Sequence, residues 1–273
     1  MSEFTEAAFA KLNLALHVRR RRADGYHDIE TVFAFCEDGD ALSGAVADAL
    51  SVTVSGPFAE AVPAGDDSLV LRAARALRDA AGSSGGNSGG ARLHLVKNLP
   101  VAAGVGGGSA DGAAALRLLT RLWRLPVELA GQIAPKLGAD VPACLVSRTS
   151  RGTSAGDALE PEDDPSLAGT PVLLVNPGRP LSTGAVFERW DGRDGGPLGE
   201  WRDGGNDLER AALTLVPEIA ELLDWLRGRP GAEVARMSGS GATCFGLFAS
   251  EAARDAAAGA VPSGWWHLAT RLR

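Results

Sequence analysis

The chain has 273 residues, 45% of them apolar and 22% charged. This is the composition of a folded globular protein with enough chain for one large domain or two modest ones of roughly 150 residues each. Its 27 basic and 34 acidic residues leave a net charge of −7. That excludes a general nucleic-acid binder, because such affinity comes mainly from neutralising phosphates. Cys36, Cys144 and Cys244 are odd in number, far apart and without a C-x-x-C pair, so they predict buried reduced thiols and neither a disulfide framework nor a structural zinc site. Glu3 and Glu6 precede any basic residue, the reverse of a signal peptide, and apolar runs such as 171–175 fall far short of a spanning helix. The expected location is the cytoplasm, with neither membrane nor nucleic acid as partner.

Apolar residues alternate through Leu12, Leu14, Leu16 and Val18, which predicts a strand with one buried face. Arg19 to Arg22 and the Ala23-Asp24-Gly25 turn follow, then strands over 29–35 and 50–54. Ser68 is placed to cap a helix over 69–81 with Leu69, Ala73, Leu77 and Ala80 on one side. The Gly82–Gly90 tract reads as a flexible polar loop. A strand around Leu93 and Leu95 ends near Lys97. A glycine-rich loop then leads into a helix over 109–123, capped by Ser109, with Ala113, Leu116, Thr120 and Trp123 inward. A further helix over 127–137 stops at Gly138. The acidic stretch 159–166 predicts a break and a boundary between domains at 1–160 and 161–273. Beyond it come a strand over 172–175, a helix after Pro217 with Ile219, Leu222, Leu223 and Leu226 inward, and strands over 234–237 and 244–248. The region 192–205 is expected to be mobile. This irregular alternation predicts an α+β fold.

The segment from Leu99 through Pro100, Val101, Ala102, Ala103, Gly104, Val105, Gly106, Gly107, Gly108, Ser109 and Ala110 to Asp111 carries the strongest chemical signal. Glycines admit unusual dihedrals and close ligand approach. The helix that follows offers free N–H groups and a favourable dipole to an anion. No Gly-Lys-Ser/Thr closes the loop, so it is not a Walker A motif. A polyphosphate cradle and a surface loop both remain open on these residues alone. Lys11 and Asn13, two apart, share one side of a strand, as a functional pair or a solvated face. Asp140, in Gly138-Ala139-Asp140-Val141-Pro142, is placed either to accept a proton from a hydroxyl or to satisfy turn N–H groups. Tyr26 is the only tyrosine, a core aromatic or a stacking surface. Met237-Ser238-Gly239-Ser240-Gly241 is a second glycine turn.

In this order, Ala10-Lys11-Leu12-Asn13-Leu14, Arg22-Ala23-Asp24-Gly25-Tyr26-His27, the Pro100–Asp111 loop, Gly138–Pro142 and Met237–Gly241 resemble the GHMP kinase superfamily. The Asp-Gly-Tyr-His and Gly-Ala-Asp-Val-Pro segments resemble its branch acting on a cytidine-diphosphate-linked methylerythritol. The resemblance implies two domains with a nucleotide and substrate cleft between them, and transfer of the ATP γ-phosphoryl to the substrate 2-hydroxyl in the non-mevalonate isoprenoid route. It implies catalytic roles for Asp140 as base and Lys11 as its partner. It implies ATP binding by Lys97, near the adenine, and by Pro100 to Ala110. Substrate contacts are implied at Asn13, Tyr26, His27, Thr183 and Phe187, with Tyr26 and Phe187 flanking the cytosine. Mg²⁺ would be held mainly by phosphates and water with no dedicated protein metal site, and the chain would act as a monomer or weak homodimer. Phe9, Gly112 and Ser68 depart from the pattern, the last leaving the adenine contacts open. A GHMP kinase acting on homoserine, mevalonate or a sugar is the first alternative. A silent nucleotide-binding regulator is the second, against which Lys11 and Asp140 are both present.

Overall fold

The computed structural model describes residues 3–63, 65–83 and 89–273. Most of the tract expected to be a flexible loop, 84–88, lies outside the described residues. The chain forms two compact units, each assembled from separated stretches. Two long strands, β1 (Phe4–Arg21) and β2 (His27–Ala47), contribute to both.

The first unit comprises the described residues of Met1–Ala10, Asp38–Val101 and Gly106–Ser147. Strand β3 (Ser51–Ser55) runs parallel to β4 (Gly90–Val96), and β4 pairs antiparallel with the far half of β2, from Ala41↔Val96 to Ala47↔Gly90. The strand expected over 29–35 therefore runs on to Ala47. The extension is hidden by Glu37, Asp38, Gly39 and Asp40, which break its apolar alternation. Gly39 is required there: a Cβ at this position would lie 2.1 Å from the Ala8 carbonyl oxygen. In β4, Ala91, Leu93 and Leu95 are buried while Arg92 is exposed, the period-two pattern of a one-sided strand.

Four helices complete this unit: α1 (Leu69–Ser83), α2 (Gly107–Leu122), α3 (Val127–Leu137) and α4 (Val141–Val146). Val70, Ala73, Ala74, Leu77 and Ala81 form the buried stripe of α1, which packs on α2 and α3. Helix α2 begins two residues before the expected start. Gly106, in the left-handed region at φ 64°, is its N-cap, so Ser109 lies in the first turn. Asp140 is the N-cap residue of α4, with Pro142 in the first turn, so the segment read as a turn opens a short helix.

The second unit comprises Lys11–Glu37, Ala102–Val105 and Arg148–Arg273. Strands β5 (Ser150–Thr153) and β6 (Ala158–Pro161) pair antiparallel, and β5 pairs with β2 at Thr31↔Gly152. The first three residues of the expected break, 159–161, thus lie within β6. A four-stranded antiparallel sheet has the order β10-β7-β9-β8, from β7 (Pro171–Asn176), β8 (Ala232–Met237), β9 (Cys244–Phe248) and β10 (Trp266–Arg271). Helices α5 (Thr183–Glu188), α6 (Glu209–Leu215), α7 (Glu218–Arg227) and α8 (Glu251–Ala258) accompany it. Ile219, Leu222, Leu223 and Leu226 of α7 join Leu173, Val175 and Phe248 in the core with Leu16, Val18 and Ile29.

The 192–205 region, expected to be mobile, is irregular but tied down. Gly195 N–H donates to the Val18 carbonyl, Leu198 N–H to Glu30 and the Trp201 indole to Asp164. Trp201 is itself buried. Helices with one mixed and one antiparallel sheet make this the expected α+β fold. Among the described residues no helix is long and apolar enough to cross a membrane.

Candidate active site

In the second unit, β1 carries Lys11 and Asn13 on one side, both buried. The Lys11 ammonium donates to Asn13 Oδ1 at 2.8 Å and lies 5.2 Å from the centre of the Phe33 ring. Asn13 Nδ2 donates to Thr31 Oγ1 at 2.8 Å, and Thr31 donates in turn to the Ala15 carbonyl at 2.6 Å. The amide is thereby fixed with its oxygen toward the lysine. A solvated outer face is ruled out by this burial.

The segment Ala102–Val105 packs against the second glycine turn within the same unit. Ser238 Oγ donates to the Gly104 carbonyl and accepts from Asn13 N–H, while Thr243 N–H donates to the Ala103 carbonyl. Lys11 N–H donates to the Val105 carbonyl at 2.9 Å. Gly104 has φ 76°, and a Cβ on it would sit 2.4 Å from the Ser238 carbonyl oxygen. Only glycine permits that approach. Ala102 has φ 53° without being glycine, a strained backbone of the kind that clusters in ligand loops.

Tyr26 is 56% exposed, and its N–H donates to Asp24 within the turn. His27 is buried and stacks on Phe187 of α5, ring centres 4.6 Å apart, with the edge of Trp190 5.6 Å away. Burial lowers the His27 pKa, with repulsion from Arg21 adding to it, so a neutral imidazole is favoured at pH 7. Thr183 Oγ1 is 2.9 Å from Ser240 Oγ, joining α5 to the glycine turn. Five of the second unit's expected site residues, Lys11, Asn13, Thr183, Gly104 and Val105, thus fall on one connected set of β1, turn and loop. The structure packs His27 against both Phe187 and Trp190, while Tyr26 stands at the surface.

In the first unit, Pro100 and Val101 lead away from Lys97, and the chain returns at Gly106 to Ala110, the N-terminus of α2. The first helical turn makes no side-chain cap, so the orphan N–H groups of this turn are the anion donors expected there. Asp140 is half-buried, and its carboxylate makes no capping bond to α4.

The Lys97 side chain points into the interior of the first unit. It is 1% exposed, and its ammonium donates to Asp40 Oδ2 and Asp111 Oδ2, each at 2.6 Å. Burial disfavours the charged ammonium, but the two carboxylates outweigh it and raise the Lys97 pKa. Asp111 is pushed up to about 7 by burial, with Lys97 opposing the shift and Asp40 adding to it. The sequence reading missed Asp40, Thr31 and Trp190 as partners of site residues. Trp190 was legible as a second aromatic three residues after Phe187, and Asp111 as a lone charge on the apolar face of α2. Nothing local marks Asp40, which reaches Lys97 across 57 positions.

Residues 68–148 match the GHMP kinases N-terminal domain and residues 187–266 the GHMP kinases C-terminal domain. A 4-diphosphocytidyl-2-C-methyl-D-erythritol kinase of Rhizorhabdus wittichii is 51% identical, covering 98% of this chain and 94% of its own length. The kinase of that name from Novosphingobium aromaticivorans is 48% identical, with coverage of 98% and 92%. A solved structure of 4-(cytidine 5'-diphospho)-2C-methyl-D-erythritol kinase is 33% identical and superposes with a TM-score of 0.84 over 98% of this chain and 99% of its own. The chain belongs to the GHMP kinases, a family of ATP-dependent phosphotransferases, and within them to the 4-diphosphocytidyl-2-C-methyl-D-erythritol kinase family.

Proposed function

We propose that this chain transfers the γ-phosphoryl group of ATP to the 2-hydroxyl of 4-(cytidine 5'-diphospho)-2-C-methyl-D-erythritol, giving the 2-phosphate and ADP, in the non-mevalonate route to isopentenyl diphosphate. The observation that carries the substrate assignment is the 51% identity over 98% of the chain to a kinase named for that substrate. The geometry of each unit supports the roles. The new bond joins the substrate O2 to the γ-phosphorus, the bond from that phosphorus to the β,γ-bridging oxygen breaks, and ADP leaves with the bond electrons. Asp140 accepts the hydroxyl proton. Lys11, held in one orientation by Asn13 and Phe33, orients the hydroxyl and offsets the charge that develops on it. Such chemistry is mainly positioning and electrostatics.

The N–H groups from Gly106 to Ser109 receive phosphate oxygens, with Ala110 closing the first helical turn onto the Gly106 carbonyl, and Pro100 to Val105 form the rest of the loop over the nucleotide. Asn13 and His27 contact the acceptor. The neutral His27 ring has one donor and one acceptor nitrogen, which suits the edge of a base. Tyr26 and Phe187 flank the cytosine beside Thr183. Among the described residues no cluster of three His, Cys, Asp or Glu side chains could hold a metal ion. Mg²⁺ would be carried on ATP phosphates and water, where it would neutralise phosphate charge.

The test is product identification by ³¹P NMR and mass spectrometry after incubation with Mg-ATP and the cytidyl substrate. A new phosphomonoester at the 2-position is the expected product. Phosphorylation of homoserine, mevalonate or galactose with the cytidyl substrate untouched would overturn the substrate assignment and leave the family standing.

A further inference from the structure

The phosphate loop leaves the first unit after Val101 and re-enters it at Gly106. Its ends are joined beneath the start of α2 by three buried ionisable side chains. Asp40 on β2 uses one oxygen to accept from the backbone N–H groups of Asn98 and Leu99, at 2.5 and 2.8 Å, where the loop begins. Its other oxygen accepts from the Lys97 ammonium, which also donates to Asp111 in the second turn of α2. The first helical residue, Gly107, lies over this cluster: a Cβ there would be 3.0 Å from Lys97 Nζ and 3.8 Å from Asp40 Oδ2. All three side chains are at least 95% buried.

We propose that Asp40, Lys97 and Asp111 act as a clamp that sets the spacing between the entry of the phosphate loop and the N-terminus of α2, and so positions the N–H groups that receive ATP phosphates. They are positioning residues, touching neither nucleotide nor acceptor. The inference rests on the kinase reading for the identity of the ligand as ATP. Its physical basis is that the cluster spans the loop with charge-assisted bonds, which are stronger and more directional than neutral ones. Donors aimed at phosphate lose their value when they shift by a fraction of an ångström. Burying three ionisable groups is costly in itself, and a cluster meant only to stabilise this unit would be served as well by apolar packing.

Nucleotide affinity is measured by calorimetry with Mg-ATP and no acceptor, so the result does not depend on which acceptor is phosphorylated. Asp40→Asn breaks the clamp without changing shape: whichever way the amide turns, its NH₂ meets either the Lys97 ammonium or the two backbone N–H donors. Asp111→Leu removes the helix end of the link. Asp111→Asn keeps an oxygen for Lys97. The clamp predicts that ATP affinity falls about tenfold to a hundredfold in the first two variants and stays within about threefold in Asp111→Asn. In turnover, KM for ATP should rise in Asp40→Asn while kcat at saturating ATP and KM for the acceptor hold. Should Asp111→Leu fail to fold, Asp40→Asn and Asp111→Asn carry the same test. Unchanged ATP affinity in folded Asp40→Asn would overturn the inference, as would an equal loss in Asp111→Asn. A lowered Tm with no change in ATP affinity would show a purely structural cluster.

Discussion

Lys11 and Lys97 are both buried, at 3% and 1% exposure, and both belong to the set of site residues that the sequence motifs mark. Their surroundings separate them. Lys97 holds two carboxylates at 2.6 Å inside the first unit, tying strand β2 to helix α2. Lys11 donates to a neutral amide and lies over an aromatic ring in the second unit. An ammonium between two buried carboxylates is committed to the fold. The amide and the ring face beside Lys11 fix the direction in which its ammonium points. The same residue type at two motif positions therefore points to two kinds of work, and only the side-chain partners tell them apart.

The comparison breaks most sharply on paired substitutions. Lys11→Met should lower kcat by about 10²–10³, the usual cost of losing one electrostatic donor to the reacting group, with a smaller loss of about 1–3 kcal/mol in urea unfolding because buried Asn13 Oδ1 loses its donor. Lys97→Met leaves Asp40 and Asp111 buried without their cation, and unfolding should show a loss of about 3–5 kcal/mol. If the two variants exchanged these phenotypes, the assignment of the lysines would be reversed.

A smaller effect tests the Lys11 side. Gly104 supports the Ser238 link to Asn13, and Gly104→Ala forces a Cβ into the Ser238 and Gly241 carbonyls at a positive φ. Stability should fall by about 1–3 kcal/mol, measured by denaturant unfolding.

On the Lys97 side, the raised pKa of Asp111, about 7 against 3.8, means that the folded chain holds a proton the unfolded chain has released. The contribution of this group to stability is therefore full below about pH 4 and declines until about pH 7. Relative to wild type, Asp111→Asn should gain stability as pH rises across that window, as read from urea midpoints at each pH. The smallest effect is at Gly112, where an added Cβ meets Leu69 at an ordinary 3.5 Å. Gly112→Ala should stabilise α2 by about 0.4–1 kcal/mol, visible as a small rise in Tm.

Much of this was legible in the chain. Helix α3 and the strands β7 and β9 follow from apolar periodicity and punctuation, and the buried face of α7 falls on the four residues that its spacing marks. The fold class was legible too, and the motifs marked the family. What escaped was long-range. The continuation of β2 is masked by Gly39 and its acidic neighbours, because the need for glycine there comes from Ala8 on another strand. Helix α2 starts at Gly107 because Gly106 supplies a left-handed cap that no side-chain signal announces. Helix α8 was signalled by Ser250, whose hydroxyl accepts from Ala253 N–H, but its small apolar face is weak. In the site, Lys97 was visible and its partners were not. Asp40 is distant in sequence, and the burial that changes the meaning of Lys97 belongs to the packed unit.

The most direct test of the account is ADP release with Mg-ATP by wild type and Asp140→Asn, with the cytidyl substrate beside homoserine, mevalonate and galactose. The account predicts turnover on the cytidyl substrate alone and a loss of about 10²–10⁴ in kcat for Asp140→Asn, the range of general-base catalysis, with ATP affinity retained. Turnover that survives the substitution, or that appears only with another acceptor, would contradict it.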